Sequence, residues 1–467
     1  MARPGTAYFA ATSVADPRQA RIGRWSTRWQ PRSRTEHQSG ITAALHWHRT
    51  PATGGLNLFR SKTIKTDDFH ARQDSAAGGM ARQRIMRVGG VEGATFRARE
   101  IPGAPDPFAA DLFATRHSMK AMVLHGLGQP LRLEEVAIPK PGPNDVLVRV
   151  RACGVGLTVV NLIRTPGRVT SYPRTPGHEV AGVVMEVGSE VKSVRAGQRV
   201  TNHYYLTCGQ CRNCRSGRET LCLNLRGHVG AACNGGYAEY LVLPERNIVA
   251  IPDGVSDVDA AVASDAIATP YHACHKEARV GPGDDVLIIG AGGGVGIHMV
   301  QMARLCGGRV LAADIGDDKL ALAKTWGADE VIDVRRGELA PQVKALTEGR
   351  GADAVIDVVG NRQTLEAGIQ SLAVAGKMVI IGSKPRSVYG EAPSFMLNTA
   401  VFTQRGLELH SSRYVTAAEI AQTLELVRRK RIRPVVTQTF PLERVEEAHE
   451  LIRNNATAGR IALVMAG

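Results

Sequence analysis

No run of eighteen consecutive apolar residues occurs in the 467 residues, so no segment reads as a transmembrane helix. No apolar stretch of adequate length follows Met1 either, which argues against a secretory leader. A transit peptide would be unusually long and is not poor in acids, as such peptides are. Cysteine is sparse, with eight in all and four of them scattered singly, so a disulfide framework accounts poorly for them. Residues 1 to 118 lack sustained helical or strand periodicity and are punctuated by Arg, Ser, Gly and Pro. Such a stretch cannot bury enough apolar surface to form a core. It is expected to be a disordered or non-native N-terminal extension, with translation starting at Met119. Three of the four tryptophans (Trp25, Trp29, Trp47) lie there, but no DNA- or RNA-binding motif accompanies them, so nucleic acid is not an expected partner. The net charge of +14 is unevenly placed. This first segment holds 18 Lys+Arg against 9 Asp+Glu, and the other 349 residues carry only +5.

From Met119 an organised pattern begins. Short β-type runs (121–124, 131–136, 146–152, 180–187 and 237–243) are separated by turns bearing Pro and Gly, which predicts a compact β-rich unit. After about Ile267 the rhythm becomes strand, helix, strand, helix. The strands are expected at 286–289, 309–313, 330–332, 354–359, 378–381 and 407–410, and helices such as 317–326 and 363–372 supply the crossovers of a doubly wound parallel sheet. Amphipathic segments 417–430 and 442–454 and a strand at 460–464 close an α/β chain.

The strict Gly-x-Gly-x-x-Gly fingerprint is also missing. The run Val286 to Gly296 instead gives Gly290-x-x-Gly293-x-x-Gly296, with Gly294 and Val295 inside the turn. An apolar strand ending in glycines and followed at once by a helical pattern is the setting in which a pyrophosphate approaches a helix N-terminus. Eighteen residues after Gly296 the next strand ends in Asp314, near the distance at which a carboxylate accepts both ribose hydroxyls. It would repel a 2′-phosphate, so NAD(H) is expected over NADP(H). The alternative for Asp314 is a cap on the following helix.

Cys208, Cys211, Cys214 and Cys222 fall within fifteen residues as Cys-x2-Cys-x2-Cys-x7-Cys. Four thiolates so spaced can close tetrahedrally on one zinc, and the spacing matches neither ferredoxin pattern. A closed four-sulfur site has no open position for substrate, so its role is structural.

Together with Gly177-His178-Glu179 and Lys319, these features resemble the medium-chain dehydrogenase/reductase superfamily, in its zinc-type alcohol dehydrogenase branch. The resemblance covers Met119 to the C-terminus. It implies a discontinuous β-rich, GroES-like catalytic domain with a zinc lobe (119–266 and 412–467) flanking a Rossmann NAD-binding domain (267–411). The cofactor would lie in the cleft between them, near Gly290, Gly293, Gly294, Val295, Gly296, Asp314 and Lys319. It also implies a cytoplasmic enzyme with a small-molecule substrate and no membrane partner. A homodimer or homotetramer is expected, pairing near 407–410.

The branch usually holds a second, catalytic zinc through a Cys, the His of Gly-His-Glu and a later Cys. Here the first position is Gly156, the second survives as His178, and the third is Asp265, with Glu179 able to join. One His and one or two carboxylates are fewer and harder ligands than such a zinc normally has. One structural zinc per chain is therefore expected, beside a degenerate second site. Thr158 matches the proton-relay hydroxyl, but the relay histidine corresponds to Asn161, which does not titrate. His203 has no fixed role, and the cluster His272, Cys274 and His275 is taken as incidental. An NAD(H)-dependent alcohol dehydrogenase activity leads. A metal-free enoyl-, acryloyl-CoA- or quinone-type reductase and a non-catalytic nucleotide-binding protein stay open.

Overall fold

The computed structural model describes residues 117–383, 386, 390 and 394–466. The expected N-terminal extension therefore lies, up to residue 116, outside the described residues. Among the described residues the first strand starts one position before Met119. Strand β1 (Ser118–Val123) pairs antiparallel with β2 (Arg132–Ala137), and Ser118 faces Ala137.

Strands β3 (Asp145–Val155), β4 (Glu179–Val187), β5 (Arg199–Asn202), β6 (Tyr240–Pro244) and β7 (Ile248–Ala250) build most of a seven-stranded sheet. Strand β3 is buried on both faces, Val146 and Val148 on one and Leu147 on the other, and it pairs with β4 and β6 along its edges. A nearly continuous helical segment, residues 257–277, then leads out of this sheet. It contains a π-helical turn over Ala263–Ile267, just ahead of Pro270. Proline in a helix interior removes a donor and clashes with the carbonyl four residues back, and a widened turn relieves both.

The second sheet is all parallel. Its strands are β8 (Asp285–Ile289), β9 (Arg309–Asp314), β10 (Glu330–Asp333), β11 (Ala352–Asp357), β12 (Leu372–Ile380) and β13 (Glu408–Ser411), in the order β10-β9-β8-β11-β12-β13. Every residue of β8 is buried, as expected of a central strand covered by helices on both faces. The order reverses between β8 and β11, which makes the carboxyl end of β8 the switch point where ligands of such sheets bind. Two helices escape the sequence patterns, Leu339–Leu346, which carries Pro341 in its first turn, and the short Thr399–Gln404.

The chain then returns to the first sheet. Strand β14 (Val436–Pro441) pairs parallel with β15 (Arg460–Val464), and β15 pairs antiparallel with β3, setting Ile461 opposite Val155 and Ala462 opposite Gly154. The same segment touches the second sheet's turn, because Gly459 N–H donates to Gly292 O at 3.0 Å. Buried His298, on the helix Gly296–Leu305, adds a clamp: its Nδ1 lies 2.8 Å from Gly294 O and its Nε2 accepts Val435 N–H at 2.9 Å. Burial holds its pKa down at about 4, which suits this neutral arrangement.

Candidate functional site

Three groups of residues carry the chemistry. The first is the cysteine lobe between β5 and β6. Its four Sγ atoms all lie within 4.8 Å of one another, with Cys208 to Cys214 at 3.9 Å and Cys211 to Cys214 at 3.5 Å. Tetrahedral zinc with Zn–S bonds of about 2.3 Å requires edges of about 3.8 Å, so the donor set fits the ion. Backbone amides aim at the sulfurs as well: Cys208 N–H lies 3.3 Å from Cys222 Sγ, and Cys211 N–H 3.4 Å from Cys208 Sγ. Such donors favour thiolate, and the amides of Cys214 and Leu223 pull the Cys211 thiol down to about 6.

The second group is the glycine-rich turn. Gly290 adopts φ +84°, a left-handed conformation that suits glycine. Gly296 has no room for a side chain, because a Cβ there would run into Gly290 O, and Gly292, which the fingerprint spacing passes over, is closed as well. A Cβ there would fall 2.8 Å from both Cα and O of Lys319. Gly293, a member of the expected spacing, would meet only Gly290 O at 3.6 Å. Gly294 faces Arg460, and Val295 O accepts Met299 N–H in the first turn of the helix that begins at Gly296. Asp314 ends β9 beside this turn; its Oδ2 accepts Gly292 N–H at 2.8 Å and its Oδ1 accepts Ile315 N–H at 2.7 Å. Burial pushes its pKa up, and the two amides counter that. A glycine turn opening onto a helix N-terminus, with an adjacent carboxylate at the switch point, fits a dinucleotide. Lys319 is buried, and its Nζ donates to Asn455 Oδ1 at 2.6 Å, so its backbone is what shapes the turn.

The third group gathers residues from three distant parts of the chain. His178 precedes β4, packs against Tyr204 with the rings tilted by 39° and 4.3 Å between centroids, and places Nε2 3.1 Å from Asp265 Oδ2 and 3.8 Å from Glu179 Oε1. Asp265 sits in the π-helical turn, and its Oδ1 accepts the Thr269 hydroxyl at 2.8 Å. His178, Glu179 and Asp265 thus come together as ligand-like atoms within 4.8 Å. Glu179 is fully buried, and its Oε1 accepts from Arg460 Nη2. Thr158 lies in the first turn of the helix Leu157–Leu162, two residues past Gly156; it is exposed and has no hydrogen-bonding partner among the described residues.

Arg460 is the residue that sequence reasoning missed. A Cβ on Gly156 would lie 2.6 Å from its Nη2 and 2.8 Å from its Cζ, so the guanidinium fills the space in front of the vacated cysteine position. A zinc held by His178, Asp265 and Glu179 would have to compete with this cation for Glu179, and Gly156 offers no thiolate in its place. The trio is thus a degenerate form of the catalytic zinc site, with its ligand atoms together but its cysteine position empty and one carboxylate shared with Arg460. No local signal marked Arg460, because its place depends on how β15 registers against β3.

The remaining candidates are structural. The His203 ring lies 3.1 Å from Tyr205 O and 2.8 Å from Val415 O, and burial lowers its pKa. His272 bonds Glu419 and Glu277, and Cys274 is buried against Met299, so these do not converge on one point.

Two family models, curated relatives and solved structures match the chain. Residues 142–253 match the family model described as the alcohol dehydrogenase GroES-like domain, and residues 294–429 match that of zinc-binding dehydrogenases. An NAD-dependent alcohol dehydrogenase of Sulfurisphaera tokodaii is 33% identical over 355 residues, covering 74% of this chain and 100% of the relative. An L-threonine 3-dehydrogenase of Chromobacterium violaceum is 33% identical over 339 residues, covering 70% of this chain and 95% of its own. Among solved structures, AibC superposes with a TM-score of 0.71 at 34% identity, over 76% of this chain and 98% of that one.

Proposed function

Since the chain belongs to the zinc-type alcohol dehydrogenase family of medium-chain dehydrogenases/reductases, we propose that its third residue group is the reaction centre and its glycine turn the dinucleotide seat. The protein is an NAD(H)-dependent oxidoreductase that moves a hydride between nicotinamide and an alcohol or carbonyl compound, and it carries a structural zinc. The relatives do not favour the enoyl-reductase or non-catalytic alternatives.

The observation that carries the assignment of the seat is the Gly292–Asp314 bond at the β8/β11 switch point. The amides at the start of the helix Gly296–Leu305 would receive the pyrophosphate, and Asp314 the adenosine ribose. When bound, the nicotinamide supplies or accepts the hydride. Across the cleft, Asp265 would orient His178 through their 3.1 Å contact, and the Thr158 hydroxyl would carry a proton to or from the substrate oxygen. Residues 119–266 with 412–467 would form the catalytic part, and 267–411 the nucleotide part. Strand β13 is the last in its sheet among the described residues, and its edge would offer a place for a second copy to pair, giving a homodimer or homotetramer. Among the described residues no helix is long and apolar enough to cross a membrane, in keeping with a proposed cytoplasmic location.

A panel of primary and secondary alcohols, L-threonine among them, offered with NAD+ and followed by NADH absorbance, tests the activity. Reduction of at least one paired aldehyde or ketone by NADH is expected. Turnover confined to 2-enoyl thioesters would overturn it.

A further inference from the structure

One wall beside the reaction centre is built of rings. The Tyr204 ring stands 4.3 Å from that of His178 and 4.8 Å from that of His228, Tyr205 meets His228 edge-on at 4.6 Å, and Tyr414 stacks on Tyr205 at 5.2 Å. Backbone bonds hold the rings in place: Val229 N–H donates to Tyr204 O at 3.0 Å, and Tyr204 N–H donates to the Tyr414 hydroxyl at 3.2 Å. Two arginines from distant parts of the chain reach this wall. Arg413, just past β13, lays its Cζ over the Tyr205 ring at 5.4 Å from the centroid. Arg168 follows the helix Leu157–Leu162, and Thr170, two residues on, ties that segment to the His228 loop by donating from both N and Oγ1 to Ala231 O at 3.3 Å. Burial, and then the charges of Arg168 and Arg413, hold the His228 pKa down at about 4, so both cations bear on the same ring.

Both arginine side chains are exposed, and neither pairs with a carboxylate among the described residues. The acid whose charge reaches the three tyrosines is Asp265, and its carboxylate is taken up by His178 and Thr269. The Tyr204 hydroxyl is buried without a hydrogen-bonding partner, and Arg168 is the charge that bears on it most. An unsatisfied buried hydroxyl is costly, and a ligand oxygen would satisfy it. Two unpaired guanidiniums beside a ring-lined wall offer forked donors to an anion with no competing acid. We propose that the reaction centre takes an anionic substrate, a short-chain hydroxy or oxo compound carrying a carboxylate or a phosphate, whose reacting carbon lies near His178 and Thr158 while Arg168 and Arg413 hold its charged end. The proposal rests on the hydride-transfer assignment above and names its substrate class. The anion takes no part in the chemistry. In the oxidising direction the carbinol carbon gives a hydride, with its electron pair, to NAD+ and the hydroxyl loses its proton, so C–H and O–H bonds break as C=O forms. Binding energy from the remote charged end holds the reacting carbon in place for that step.

The test uses full-length, zinc-loaded protein with NAD+ and substrates paired by shape. Each of 3-hydroxybutyrate and 3-hydroxypropionate is compared with its methyl ester, and kcat/KM should favour the acid by about 30-fold or more. L-Threonine, which adds an ammonium to 3-hydroxybutyrate, should be the poorer of those two, because Asp265 is already engaged. Arg168→Gln and Arg413→Gln should each cut the acid-to-ester ratio by about tenfold through KM, and the double variant should erase it. A ratio measured on one preparation separates lost anion recognition from partial misfolding. Against whichever substrate the alcohol panel yields, butyrate and propyl phosphate should compete at about tenfold or more lower concentration than neutral butyramide, and the stronger of the two identifies the charged end. Equal kcat/KM for acid and ester, a preference for L-threonine, inhibition by neither anion, or arginine variants that lower acid and ester turnover alike would each overturn the proposal. A parent protein that binds no NADH and oxidises no alcohol would instead refute the hydride-transfer assignment.

Discussion

Asp314 shows what one side chain decides. Its carboxylate is buried at the end of β9 and bonded to the Gly292 amide, so a 2′-phosphate brought to the adenosine ribose would meet a negative charge in a partly desolvated place. NADH should bind about tenfold or more tighter than NADPH, a difference of about 1.4 kcal/mol. In Asp314→Ser the two affinities should converge, and fluorescence titration measures both. Equal affinities in the unaltered protein would remove Asp314 from the cofactor assignment. Gly292 and Arg460 make the complementary point. Of the glycines in the fingerprint spacing Gly296 is crowded by Gly290 and Gly293 is not, whereas Gly292, outside that spacing, is closed off by Lys319 from the neighbouring crossover helix. Neither requirement is visible in a single stretch of sequence.

At the scale of elements, the cysteine lobe and the helical segment 257–277 behave differently. The lobe is local: its four ligands fall within fifteen residues, the thiol spacing suits one zinc, and sequence alone predicted it. Cys211→Ser should release the zinc on dialysis and lower the melting temperature by about 5 °C or more, because ligand binding there is also folding energy. Elemental analysis with calorimetry reads both, and retention of zinc by this variant would show that the lobe is not the metal's holder. The helical segment is decided by more than its own pattern. Pro270 accompanies a π-helical turn, and that turn carries Asp265 to within 3.1 Å of His178, which lies 87 residues earlier.

For the whole molecule, the buried histidines set a common response to acid. Burial lowers His298 and His228 to about 4 and His449 to about 3, each from 6.5, and His203 shifts in the same direction. The unfolded chain binds more protons than the folded one as soon as pH drops below about 6.5, so stability should be full above that value and fall steadily towards pH 4. Melting temperature measured from pH 7.5 to 4.5 should therefore decline, and His298→Gln should make the decline shallower. A flat profile between pH 7 and 5 would show that these rings are solvated. What the sequence determined by itself was everything that is local or periodic: the β-rich grammar after Met119, the strand–helix alternation from 285 onward, the glycine turn before Asp314, and the zinc lobe. Residue type and spacing carry that information, because one helical turn, one strand face or one metal shell spans only a few residues. Only the tertiary structure brought β15 back beside β3 and so laid Arg460 against Gly156, with Glu179 and the Gly294 turn on either side. Strand register between segments about 300 residues apart depends on the packing of both sheets, and a single unmatched cation gives no sign in the sequence of the partner it will find.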